Sequence, residues 1–200
     1  MNFRIGSTQV YISLLFFITL TLLLWVDRTG AVLCAALSAA VHEGGHLAAL
    51  CRMRLRPQAV RLRLPGIEVV RAPALLTFRR ELLLALAGPC ANFVLALFGV
   101  GAGLLVPNLI SPYLPAMSAA MGAYNLLPVA GLDGGDALLS LLYMRIPPEP
   151  ARRILRVVSA VCLALLALLC AYLLWRGRVN VTLLIAGLYL LALLILDFKD

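Results

Sequence analysis

The chain contains two histidines, and both fall in one pentapeptide, His42-Glu43-Gly44-Gly45-His46. Residues i and i+4 of a helix project from one face, so the two imidazoles can reach a single ion, and Glu43 stands where it can contact a water on that ion. No charged residue lies between Arg28 and this cluster, and Leu47 to Leu50 follow it. Ionisable groups at membrane depth are costly without a partner, and a metal ion is such a partner. The plain alternative is two neutral histidines and a protonated glutamate that only hydrogen-bond between helices; it carries a cost on the order of several kcal/mol with no evident gain.

A hydrolytic zinc site takes three protein ligands and keeps a fourth position for water. Of the nine acidic residues, Asp27, Glu68, Glu81, Glu149, Asp197 and Asp200 fall in loops or at span ends, and Glu43 is the proposed base. Asp133 and Asp136 remain, in the run from Asn125 through Pro128, Gly131, Gly134 and Gly135. That run breaks a helix, and broken backbone at depth belongs where it is buried in protein or lines a wet cavity. His42 lies eleven residues after Ala31, roughly 17 Å along a helix, which leaves it about 10 to 15 Å from the far face of a hydrocarbon layer about 30 Å thick. Asp133, nineteen residues after Leu114 with some unwound backbone, reaches a similar depth.

The elements that carry these residues are set by composition. Among 200 residues, 63% are hydrophobic and 13% charged, and the mean hydropathy is +1.00. These values exclude a disordered chain and an ordinary soluble domain, and at this apolarity the +8 net charge reports membrane topology, not nucleic-acid binding. Six stretches reach the roughly 20 residues that a spanning helix needs: 10–26, 31–51, 82–106, 114–144 (broken near Asp133), 157–175 and 179–196. The first reads as a retained helix, since only Arg4 precedes it and no small-residue cleavage site follows before Asp27. With both termini in the cytoplasm, fourteen of seventeen basic residues lie inside, eight of them arginines between Arg52 and Arg80; Arg28, Arg176 and Arg178 lie outside. The 52–80 loop is therefore expected to be cytoplasmic. Within it, residues 60–64 and 67–71 alternate apolar and charged around Pro65-Gly66, which predicts a β-hairpin with one arginine-rich face suited to an anionic leaflet. The five cysteines lie in or beside apolar runs without CxxC spacing and read as helix filler. Trp25, Trp175 and Tyr172 read as interfacial anchors. The expected fold class is an all-α polytopic membrane protein of about six transmembrane helices with a short cytoplasmic β-hairpin and a broken fourth span, forming one domain over residues 1–200 in a bacterial cytoplasmic membrane.

Three motifs in order then carry a family resemblance: HEGGH on a membrane helix, Gly88-Pro89-Cys90-Ala91-Asn92 on the next, and Asn125-x-x-Pro128-x-x-x-Leu132-Asp133-Gly134-Gly135. Together they resemble the site-2 protease family of intramembrane zinc metalloproteases, over residues 31–144. The resemblance implies one Zn2+ per chain held by His42, His46 and Asp133, with Glu43 as general base. It also implies that Asn125 lies near the substrate backbone and that Gly88, Pro89 and Asn92 shape the site, Asn92 and Asn125 being candidates for substrate positioning. For both asparagines the plain reading is an interhelical hydrogen-bond partner. Gly131 stands where the common family form has a second proline, and Asp136 where it has a basic or bulky residue. The six-span layout without a PDZ insertion is similar to the sporulation branch, typified by the stage IV sporulation protease FB. Members of that branch often carry a C-terminal CBS domain, which is not expected here because Asp200 closely follows the last span.

The implied partners are the lipid bilayer, a transmembrane or membrane-tethered protein substrate such as a transcription factor precursor or anti-sigma factor, and regulatory membrane proteins; no nucleic acid is implied. A membrane peptidase that takes its third ligand from a downstream glutamate does not fit, because Glu81 borders a span and Glu149 lies among prolines. A metal-binding or transport protein, or an inactive protease relative, would keep the ligands without needing Glu43.

Overall fold

The computed structural model describes residues 2–5, 8–55, 57–63, 66–71, 76–106 and 112–176. In chain order the elements are β1 (Asn2–Ile5), β2 (Thr8–Ile12), α1 (Leu14–Val26), α2 (Ala31–Arg52), β3 (Pro57–Arg63), β4 (Gly66–Arg71), α3 (Phe78–Leu105), α4 (Tyr113–Asn125), α5 (Asp133–Tyr143) and α6 (Pro148–Trp175). They form two compact units, Met1–Leu76 with Leu83–Tyr124, and Thr77–Leu82 with Asn125–Asp200.

In the first unit, four strands make one sheet in the order β1-β2-β3-β4. The expected hairpin is β3 against β4, antiparallel, with Val60 opposite Val69 and Arg63 opposite Gly66. The side chains of these strands, and so the arginine-rich face, lie outside the described residues. A second antiparallel pair, β1 with β2, joins the hairpin by parallel pairing of β2 to β3, with Val10 opposite Val60. This corrects the first expected span: residues 8–12 are strand and only Leu14–Val26 is helical. Thr8-Gln9-Val10-Tyr11-Ile12 alternates and is rich in β-branched and aromatic residues, a strand signal that the leucine-rich run behind it obscures.

Helix α1 has 13 residues, a rise of about 20 Å against a hydrocarbon core of about 30 Å. Asp27 turns the chain into α2. Its carboxylate accepts hydrogen bonds from the Thr29 N–H (2.8 Å), the Thr29 hydroxyl (2.6 Å) and the Val32 N–H (2.7 Å), and Gly30 takes φ +76° at the entry to the helix. Helix α2 meets α3 at glycine: a Cβ on Gly45 would stand 2.5 Å from the Ala87 carbonyl oxygen and 2.8 Å from the Ala91 Cβ. Farther along, Gly99 of α3 receives the Pro115 ring of α4. Small residues at such contacts let helix backbones approach where lipid supplies no hydrophobic drive between helices.

The second unit holds α5 and α6. The expected fourth span is two helices, α4 and α5, and the break between them ends at Asp133. Helix α6 starts at Pro148, earlier than expected, with proline in the first turn where its missing N–H costs nothing. Among the described residues three helices, Ala31–Arg52, Phe78–Leu105 and Pro148–Leu173, are long and apolar enough to cross a membrane. The expected sixth span, 179–196, lies outside the described residues. Leucines on the helix faces are largely bare, Leu97 at 73% and Leu104 at 80% exposure, as suits a lipid solvent.

Candidate metal centre

The first unit brings the two histidines together. Their ring centroids lie 4.9 Å apart and their Nε2 atoms 3.2 Å apart. A tetrahedral zinc with bonds of about 2.0–2.1 Å places two ligand nitrogens about 3.3 Å apart, so the donor pair fits that ion.

A stripe on α3 holds the rings. Leu84, Gly88 and Asn92 follow at four-residue spacing, so they share a helix face. The His46 Nδ1–H donates to the Leu84 carbonyl oxygen at 2.9 Å, which fixes its proton on Nδ1 and makes Nε2 the lone-pair nitrogen. Asn92 Nδ2 lies 3.3 Å from His42 Nδ1. Between these two contacts, a Cβ on Gly88 would collide with His46 Nε2 and lie 2.8 Å from His42 Nε2. The glycine thus forms a cradle that any side chain would fill. His42 is buried, while Glu43, beside it on α2, and His46 are half-buried.

Asn92 has no exposed surface. Its side chain meets a histidine of the neighbouring helix α2 inside the unit. Pro89 follows Gly88 inside α3 and denies the Ala85 carbonyl its helical donor.

The second unit shows how the residues after Asn125 are shaped. The Val129 N–H donates to Leu127 O at 2.8 Å and the Leu132 N–H to Val129 O at 3.0 Å, while Gly131 takes φ +86°. The break folds back over the first turn of α5: a Cβ on Gly134 would strike the Leu126 and Leu127 carbonyls, and one on Gly135 the Val129 carbonyl. Both glycines after Asp133 are therefore steric requirements. Asp133 and Asp136 both lie in the first turn of α5, but Asp133 is half-buried and Asp136 exposed. Asn125, the last residue of α4, is half-buried.

Ser159 of α6 was not legible in the sequence. Its hydroxyl oxygen accepts from the Ala130 N–H at 3.0 Å, and the hydroxyl lies 3.4 Å from the Pro128 carbonyl oxygen, so one buried side chain pairs two backbone groups of the break.

No family model matches the sequence, and no curated relative does. Among solved structures the chain is similar to the site-2 protease from Methanocaldococcus jannaschii, with a TM-score of 0.67 and 17% identity over 98% of this chain and 94% of that one. At that identity the likeness is one of fold, and it extends over nearly the whole of both chains.

Proposed function

We propose that the chain is an intramembrane zinc metalloprotease of the site-2 protease family, in which His42, His46 and Asp133 hold the metal and Glu43 is the general base. The observation that carries this proposal is the pair of Nε2 atoms 3.2 Å apart over a glycine cradle, on an apolar helix of a site-2 protease fold. When bound, zinc supplies Lewis-acid polarisation of the scissile carbonyl and lowers the pKa of a water. Glu43 accepts the proton of that water and delivers it to the leaving amine. Asp133 is favoured over Asp136 as third ligand because it is the more buried of the two and directly follows the break.

The proposed substrates are transmembrane or membrane-tethered proteins. A spanning helix must expose backbone to be cut, and strand addition to a sheet edge is one means of holding it extended. Within the hairpin, and among the described residues, β4 offers such an edge while β3 is paired on both sides. Asn125 is proposed to lie near the bound backbone.

The test is Glu43→Gln in the full chain reconstituted in lipid. Zinc content should stay near one per chain and cleavage of a membrane-tethered reporter should fall by about 10²-fold or more. Full activity of the variant, or activity in wild-type protein stripped of metal, would overturn the mechanism. Membranes containing the Glu43→Gln form should also accumulate uncut substrates relative to wild type, identifiable by proteomics.

A further inference from the structure

The amide of Asn92 faces His42 Nδ1 through its nitrogen, and its Oδ1 is buried with no hydrogen-bond partner among the described residues. That orientation suits one tautomer only. In that orientation the amide nitrogen donates, so His42 Nδ1 would accept and the His42 proton would sit on Nε2.

A metal held through His42 Nε2 requires the opposite tautomer, because a neutral imidazole that ligates at Nε2 carries its proton on Nδ1. The Nδ1–H then needs an acceptor, and the amide nitrogen is not one. A 180° turn of the Asn92 amide exchanges oxygen and nitrogen with almost no change of shape. The turned amide would place its NH2 where Oδ1 now stands without a donor. Two further buried oxygens in this unit lack partners among the described residues, Ser38 Oγ and Ser118 Oγ. Ser38 lies one turn before His42 on α2, and Ser118 lies one turn before Gly122, whose Cβ position would be 3.3 Å from the Asn92 Cβ. Both serines therefore lie one turn from residues that stand beside Asn92.

On the assignment of His42 and His46 as metal ligands, we infer that Asn92 is a positioning residue for the metal: its amide oxygen accepts the His42 Nδ1–H and so fixes the tautomer whose Nε2 ligates. Oxygen, not nitrogen, is the working atom. The two isosteric replacements of Asn92 therefore separate sharply, since Asn92→Asp keeps an acceptor and loses the donor, while Asn92→Leu keeps the volume and loses both.

The experiment is a Co2+ and Zn2+ titration of the full chain in lipid nanodiscs, with dissociation constants and the cobalt ligand-field spectrum as readouts. Asn92→Leu should weaken metal binding about 10- to 100-fold and shift the cobalt bands, as loss of the group behind a ligating histidine does elsewhere. Asn92→Asp should bind within a few-fold of wild type, or tighter, with a wild-type-like spectrum. Wild-type affinity in Asn92→Leu overturns the inference alone, as does an equal loss in Asn92→Asp and Asn92→Leu, which would mark the donor as the working atom. If Asn92→Leu fails to fold, Asn92→Asp decides by itself: retained binding supports the role of the oxygen and lost binding overturns it. Absence of metal binding in the wild type takes down the protease assignment together with this one.

Discussion

At the scale of single residues, Gly44, Gly45 and Gly88 have different surroundings. Gly44 has nothing within 4 Å of where a Cβ would stand, Gly45 meets the Ala87 carbonyl, and Gly88 meets both imidazoles. Gly44→Ala is expected to preserve metal content and to raise helix stability by about 0.5–1 kcal/mol. Gly88→Ala is expected to abolish stoichiometric zinc binding while α3 stays helical, by metal analysis beside circular dichroism; zinc at one per chain in that variant would refute the cradle. Ser159→Ala leaves the buried Ala130 N–H without its partner, which should cost about 1–3 kcal/mol in a reversible unfolding assay. His42, Glu43 and His46 were legible because spacing on a helix maps directly onto a face. Ser159 and the pairing of Asn92 with His42 were not, because a hydrogen-bond partner is chosen by tertiary packing, and a serine in a leucine-rich helix looks the same whether or not a broken loop rests on it.

At the scale of elements, the sequence located helix breaks better than helix starts. Pro128, Gly131 and the Gly134-Gly135 pair announce the α4–α5 break by backbone chemistry alone, and the break ends at Asp133. The β3–β4 hairpin was equally readable from its alternation and its Pro-Gly centre. The β1–β2 pair was missed because two short strands next to an apolar run add too few polar positions to set a period of two. The turn from α1 into α2 offers a pH test. The Asp27 carboxyl is held below its ordinary value, first by the Thr29 hydroxyl and then by the backbone N–H groups of Val32 and Thr29, outweighing a small opposing effect of desolvation. A lowered native value means that the carboxylate stabilises this turn fully above the ordinary carboxyl range, and that the contribution is lost as pH falls through the lower native value. Val32 amide exchange, corrected for its intrinsic pH dependence, should stay protected on acidification until below the usual carboxyl range. In Asp27→Ala it should be fast at every pH; equal protection in the two proteins would show that the cap does not hold the turn.

At the scale of the whole molecule, the distribution of basic residues makes a claim about sides that cysteine chemistry can check. Cys51, exposed at the end of α2, falls on the proposed cytoplasmic side. In a variant with the other four cysteines replaced by alanine, a membrane-impermeant maleimide should label Cys51 in inside-out vesicles and spare it in right-side-out ones. Labelling from the opposite side would reverse the topology, and with it the proposed side of the β4 edge. Composition pointed to the solvent of this chain, and the exposed leucines of α3 and α6 suit lipid. It did not reveal that part of the N-terminal segment is spent on a sheet.

The parallel pairing of β2 with β3 also bears on how the molecule is made. Each antiparallel pair closes locally, Ile5 against Thr8 and Arg63 against Gly66. The junction between the pairs closes a long connection that contains both α1 and α2, which lie between β2 and β3 in the chain. A parallel pairing across that separation is slow relative to helix formation and local turns. The helix that carries both histidines is therefore expected to form before the sheet is complete, with the joining of the two strand pairs as the later step.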